Sequence, residues 1–408
     1  MLVPLGWHDD RKGTWMTTSR ATLKRSVLTA GVAAAALLLA ACGSGESSSS
    51  TTSSSASSTS SASAADPAAA AAAIIDPLKA KITWPDATKL SKALDVKGKT
   101  IWWIPIGDAV PVIHGFGVGL TQAVEAAGGT VKLCDGKFNP ADIGACLKSA
   151  GDQGAYAVVT AFIDYAMLPT AFDALTAKGI PVLVGGEAPS GGKTNGKDLA
   201  FFDPSGRVNA MYETTSAAGI VNGGAKPNGI WATLKDSSLT TNASAAGVAK
   251  WKELCPDCPL ATVDFTTPNA DKLPSAIAAA LVTNPDVTVI MVPVDSFVPP
   301  VMQAIKTAGK DIKVVSTGGD LANMQNVKAG TQAGDLGTPV IYTGWTYANA
   351  LFQLLVGDAV APQEGLGNRY FDSSNVGDLT LTPDAYLSNA WYGDDSYAAA
   401  FKTAWGVS

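Results

Sequence analysis

Histidine and charge are both scarce in this sequence. Only His8 and His114 occur among 408 residues, which excludes a metal centre or an acid–base device built from several histidines. Charged side chains make up 16% of the chain, no run of Lys or Arg occurs, and the net charge is −6. Nucleic-acid binding rewards a concentrated basic surface, so that class is excluded too. No Gly-x-Ser-x-Gly elbow is present, and one histidine beyond the leader leaves little for a hydrolase. The apolar run Val27 to Ala41 would reach only about 22 Å as a helix, short of the ~30 Å hydrocarbon core of a bilayer.

That run has a different use. Arg20, Lys24 and Arg25 precede it, and it ends in Leu39-Ala40-Ala41-Cys42. Basic, apolar and small residues in that order make a secretory leader. The ending resembles the bacterial lipobox, which implies a diacylated Cys42 as the first mature residue and an anchor on the outer face of the cell membrane. Residues 1–41 are thus read as a lipoprotein signal peptide. Asp9 and Asp10 are foreign to a basic leader, so Met16 is the expected start. From 42 to 81 the chain is mostly Ser, Thr and Ala, which cannot bury enough apolar surface to offset ordering, and a flexible tether is expected.

Beyond the tether, short β-branched runs alternate with amphipathic stretches. Strands are expected at 100–106, 130–133, 157–160 and 181–185, with helices at 112–127, 140–153 and 169–177. A second series places strands at 229–234, 260–265, 287–292 and 313–316, and helices at 243–254, 271–283, 299–308 and 321–329. Such alternation implies parallel sheets covered by helices on both faces, and two series imply two α/β domains of Rossmann-like build.

Element order and several local patterns carry a family resemblance. Lys99-Thr100-Ile101-Trp102-Trp103-Ile104 opens the first strand, and Pro111 is followed by Gly119 and then by Ala126-Ala127-Gly128-Gly129. Asn139-Pro140-Ala141 starts the second helix, and Ala177-Lys178-Gly179-Ile180-Pro181-Val182 enters the fourth strand. Ala350-Leu351-Phe352 to Val356-Gly357 and Leu381-Thr382-Pro383-Asp384 fall near the end. In this order and spacing, residues 97–408 resemble the type I periplasmic binding proteins, which include bacterial ribose and galactose receptors. The resemblance implies an N-terminal domain of 97–204 plus 338–372 and a C-terminal domain of 205–337 plus 373–408. It also implies a three-segment hinge and a ligand cleft between the domains. In open α/β sheets, ligands gather where the strands' C-terminal ends leave a crevice.

Four cysteines remain after Cys42. An even number in an exported chain suggests disulfides, and local pairing joins Cys134 to Cys146 and Cys255 to Cys258. Cys255-Pro256-Asp257-Cys258 also admits a redox or half-zinc reading. A redox motif opens a helix after a strand, whereas this one closes a helix before a strand. A four-cysteine zinc site would have to gather residues from both domains.

Strand ends point Asp108, Phe162, Asp164, Glu187, Asp236, Asp295 and Asp320 at the expected cleft, where each acid could equally cap a helix or sit in a solvated loop. Phe116, Phe297 and Trp345, with Phe162, are candidate apolar walls or simple core. His114 is a candidate donor or a surface histidine. Where sugar receptors of the family carry an aromatic pair, an Asp-Arg pair and an arginine, this chain has Val112-Ile113, Gly186-Glu187 and Ser244. The resemblance therefore leaves the solute open between a sugar and another small molecule. Gly186 to Thr194 nearly spells a phosphate-binding loop, but its first glycine is misplaced and no apolar helix follows. The expected function is that of a monomeric solute-binding lipoprotein that delivers its ligand to an ABC permease, without cofactor or catalysis. A sensor of the same fold is the alternative, since fold alone does not fix function.

Overall fold

A computed structural model describes residues 66–363 and 367–407. The described part begins with α1 (Pro67–Ile75) and continues with β1 (Thr100–Pro105), α2 (Pro111–Ala126), β2 (Thr130–Leu133), α3 (Pro140–Asp152) and β3 (Ala157–Ala161). Next come α4 (Pro169–Ala177), β4 (Val182–Gly185), β5 (Leu199–Phe202) and α5 (Ser205–Asn222). The second series is β6 (Gly229–Leu234), α6 (Ser238–Leu254), β7 (Leu260–Phe265), α7 (Leu273–Thr283), β8 (Val289–Met291), α8 (Val298–Ala308), β9 (Lys313–Gly318) and α9 (Leu321–Ala329). It closes with β10 (Gly334–Gly337), α10 (Val340–Val356), β11 (Arg369–Phe371), α11 (Pro383–Tyr386) and α12 (Ser396–Trp405).

Two sheets result. The first is wholly parallel in the order β2-β1-β3-β4-β5. The second runs β11-β10-β9-β8-β6-β7, parallel except for β11. Alternation along each strand sends side chains to two cores. In β1, Ile101 and Trp103 join Phe116, Leu120 and Phe352 under α2 and α10, while Trp102 and Ile104 join Leu147 and Phe172 under α3 and α4. In β6, Ile230 and Ala232 face α7 and α8, and Trp231 faces α5 and α6. Burial on both faces explains why these strands read as continuous apolar runs.

Every expected strand and helix is present, most of them within two residues of the expected bounds. α6 starts five residues earlier, at a Ser237–Thr240 capping box. The α2–α10 contact is unusually close, because a Cβ on Gly119 would overlap the Ile341 carbonyl and one on Gly115 would lie 2.6 Å from Val340.

The domain bounds need correction at the ends. β11 pairs with β10 in the second sheet, so the return to the first lobe is α10 rather than all of 338–372. Trp405 of α12 stacks on Trp345 at 5.5 Å, which places the C-terminal helix on the first lobe. The expected tether is also too long. Residues 42–65 and the lipidation candidate Cys42 lie outside the described residues, but Ala71 and Ile75 of α1 are buried against Tyr212 and Ala218 of α5 in the second lobe. The chain then crosses over. The Lys79 carbonyl accepts from Arg369 Nε at 3.0 Å, Trp84 stacks on Tyr342 of α10 at 4.3 Å, and Leu90 N donates to Ala404 O. Interlobe crossings at 203–204 and 338–339 are thus supplemented by the segment before β1 and the segment before α12.

Candidate functional site

The C-terminal ends of both sheets meet at the crossings, and there the described residues leave buried polar atoms without hydrogen-bond partners. Thr160 Oγ1 at the end of β3, Tyr347 Oη on α10, Arg207 Nε and Asn209 Oδ1 on α5, and Tyr392 Oη are all among them. A buried polar atom without a partner costs roughly 1–3 kcal/mol, so several together mark a place that a ligand or water completes.

The first lobe supplies an aromatic stack. Phe116 lies 6.3 Å from Phe162 and 5.8 Å from Tyr347, in both cases near parallel. Phe162 adopts φ +57°, a left-handed conformation costly for a residue with a Cβ, so its placement is imposed by the surroundings. Its ring packs beside Gly186, where a Cβ would sit 3.0 Å from Phe162 ring carbons and from Tyr347 Oη. Next to Gly186 is Glu187, 5% exposed. Burial, then the charges of Asp164, Asp203 and Asp236, pushes its carboxyl up to about 8. Asp203 belongs to a crossing and Asp236 to the second lobe, so negative charge from both lobes acts on Glu187.

Arg207 sits on the second-lobe side. Its guanidinium donates to Asn368 Oδ1 at 3.0 Å and Thr338 Oγ1 at 3.3 Å, and no carboxylate pairs with it among the described residues. Burial lowers its pKa to about 10, which leaves it protonated at neutral pH. Arg207 and Arg369 are the only arginines after Arg25. Both fasten crossings, since Arg369 also donates to the Trp391 carbonyl at 2.5 Å.

The other candidates divide. His114 Nδ1 lies 2.9 Å from Asp108 Oδ2 at the start of α2, with the imidazole exposed. Asp164 accepts from Ala166 N at 2.8 Å and from Ser190 Oγ, and so caps its own turn. Asp236 is exposed and gives both oxygens to Thr267, at 2.7 Å from N and 2.5 Å from Oγ1. Asp295 is fully buried: Oδ1 lies 2.5 Å from Ser316 Oγ and Oδ2 accepts from Asp320 N at 2.7 Å. Asp320 accepts from Tyr386 Oη at 3.1 Å, and burial above all raises it to about 7. Phe297 packs edge-on against Phe265 at 4.8 Å in the second-lobe core, and Trp345 stacks in the first. Asp295 and Phe297 thus make internal bonds and packing contacts, while Trp345 stacks on Trp405 with its indole N–H among the buried atoms without a partner.

Sequence reasoning passed over Thr160, Arg207, Tyr347 and Tyr392. Arg207 carried a usable signal in its rarity. The others gave none, because Thr and Tyr in apolar segments read as core. Cys134 and Cys146 are at bonding distance, with Cα atoms 5.7 Å apart, as are Cys255 and Cys258 at 5.3 Å. No group of three or more His, Cys, Asp or Glu side chains suited to a metal ion occurs among the described residues.

Known proteins place this geometry. The family model described as "Periplasmic binding protein domain" matches residues 94–359. Among solved structures, a 5-methylthioribose transporter solute-binding protein from Thermotoga lettingae aligns with a TM-score of 0.61 at 15% identity, over 77% of this chain and 99% of its own. A myo-inositol binding protein from Caulobacter aligns with a TM-score of 0.57 at 19% identity, over 69% and 95%. A protein from Mycobacterium smegmatis in complex with β-D-fucofuranose aligns with a TM-score of 0.57 at 18% identity, over 72% and 98%. No curated protein matches by sequence. At these identities the solved structures speak for the fold, while the family model covers most of the chain. The chain belongs to the periplasmic binding protein family, with the type I fold, a family of exported solute-binding proteins rather than enzymes.

Proposed function

We propose that this protein is the solute-binding component of an ABC importer, anchored through Cys42, and that it encloses a small polar solute between its lobes. The observation that carries the reading is the set of buried, unpartnered polar atoms at the meeting point of the two sheets, Thr160 Oγ1, Tyr347 Oη and Arg207 Nε foremost. They lie beside an aromatic wall of Phe116 and Phe162. Apolar lining with a few placed polar groups is the usual make-up of a small-molecule site. Solved structures of the same fold hold 5-methylthioribose and myo-inositol, which supports a hydroxyl-rich solute.

A thermal-shift screen of the purified protein against pentoses, hexoses, cyclitols and their derivatives tests the reading. A solute at a hundred times its Kd should add about 2.7 kcal/mol of stability. Small-angle scattering with that solute should give a smaller radius of gyration, because the ligand must favour the closed lobes to shift the population. Failure of every solute to change either quantity counts against the receptor reading.

A further inference from the structure

We propose that the solute carries a cationic amine, which pairs with Glu187 between the lobes; this deepens the receptor reading and rests on it. Glu187 is 5% exposed, and the groups acting on it are burial and the carboxylates Asp164, Asp203 and Asp236. No cation and no hydrogen bond offsets them among the described residues. Lysines near the site are engaged elsewhere: Lys193 pairs with Asp173, and Lys235 lies 4.0 Å from Asp264. The Arg207 guanidinium is tied to Thr338 and Asn368. Buried charges are ordinarily paired, and a buried carboxyl with no counter-charge keeps its proton until a cation arrives to pair with it.

A second observation is independent of the acids. Tyr347 is 1% exposed, its hydroxyl has no partner, and it converges with the Phe162 ring on Gly186, the residue before Glu187. Phe116, Phe162 and Tyr347 form the stack at this point. Aromatic rings attract an ammonium group, and a desolvated setting strengthens that attraction. Thr160 Oγ1 and Tyr347 Oη are left to meet hydroxyl groups of the same solute. A bound metal ion would serve the charge equally, but no set of three ligating side chains is gathered among the described residues. The counter-charge is therefore organic.

Calorimetry on the purified full chain with matched pairs tests this: D-glucosamine against D-glucose, and 1-amino-1-deoxy-D-sorbitol against D-sorbitol. The amine of at least one pair should bind tenfold or more tighter than its neutral partner. Glu187→Gln should bring that ratio near one, with its far-ultraviolet dichroism unchanged. Raising the salt concentration should weaken the amine's binding more than the neutral partner's, a readout that needs no variant. The proposal is overturned if neither amine binds, if the neutral member binds as tightly, or if the ratio survives in Glu187→Gln. Neutral sugars that bind and shrink the radius of gyration without any amine preference would keep the receptor reading and remove the charge assignment. If no solute changes the radius of gyration, the receptor reading itself fails.

Discussion

Asp295 and Asp335 share the hydroxyl of Ser316, which lies 2.5 Å from one carboxyl and 3.1 Å from the other. One hydroxyl hydrogen cannot serve two carboxylates, and Ser316 Oγ already accepts from Gln332 Nε2 at 2.7 Å. One acid must hold a proton and donate. Burial and the neighbouring Asp335 raise Asp295 well above the usual carboxylate range, which makes Asp295 the proton holder. Asp335 also accepts from Gly319 N, so the unit ties the ends of β8, β9 and β10 together.

Asp295→Ala should accordingly cost about 2–4 kcal/mol in urea unfolding, through a cavity and a stranded Asp320 N–H. Asp295→Asn keeps a donor for Ser316 and an acceptor for Asp320, and should cost less than half as much. Equal losses in the two variants would show that the shared proton is not what holds the unit.

Glu187 sets a pH dependence. Its folded-state pKa near 8 exceeds the ordinary 4.5, so between those values the folded protein binds the extra proton. Stability then falls as pH rises through that window, the opposite of a salt-bridged acid. Asp320, raised to about 7, acts in the same direction. From pH 5 to 8 the Glu187 contribution is of order 3 kcal/mol. Melting temperatures of the ligand-free protein should decline across this range, and Glu187→Gln should flatten the decline. A variant profile parallel to that of the parent would rule the assignment out.

The segment before β1 should act as a strap. Trp84 is half-buried between Tyr342 and Tyr397, and its indole N–H donates to the Asp394 carbonyl at 2.7 Å. Trp84→Ala should cost roughly 1–2 kcal/mol in thermal unfolding from lost ring contacts and the bond. An unchanged melting curve would mean the strap contributes nothing.

The two cysteine pairs should contribute unequally. Closing a separation of 12 residues at Cys134–Cys146 is worth about 3 kcal/mol in the chain-entropy model, and a separation of 3 at Cys255–Cys258 about half that. Double Cys→Ser variants measured by denaturant unfolding check the order. Free thiols at all four positions in non-reduced peptide maps would remove the bonds altogether.

Residue pattern alone was enough for the doubly covered sheets, because Thr100–Pro105 and Gly229–Leu234 bury both faces and leave uninterrupted apolar runs between turn residues. The same local logic located the N-termini of α3 and α4 at prolines and put the four cysteines into two local pairs, which lie at bonding distance. It missed β10, whose Gly-Asp-Leu-Gly has no strand character and is held by neighbours on both edges. It missed α5 as well, since Thr214, Thr215 and Ser216 look solvent-facing. In the fold Thr215 bonds the Met211 carbonyl and Thr317, while Ser216 bonds the Gly247 carbonyl and Trp231. Seven strand-end aromatics and acids were equally plausible cleft residues by position. Only tertiary packing separated them: it gave Asp295 to Ser316, gave Asp236 to Thr267, and left Glu187 buried among like charges with Tyr347 beside it. A side chain's periodicity fixes which face it takes, but whether a polar atom there finds a partner depends on groups brought in from distant parts of the chain.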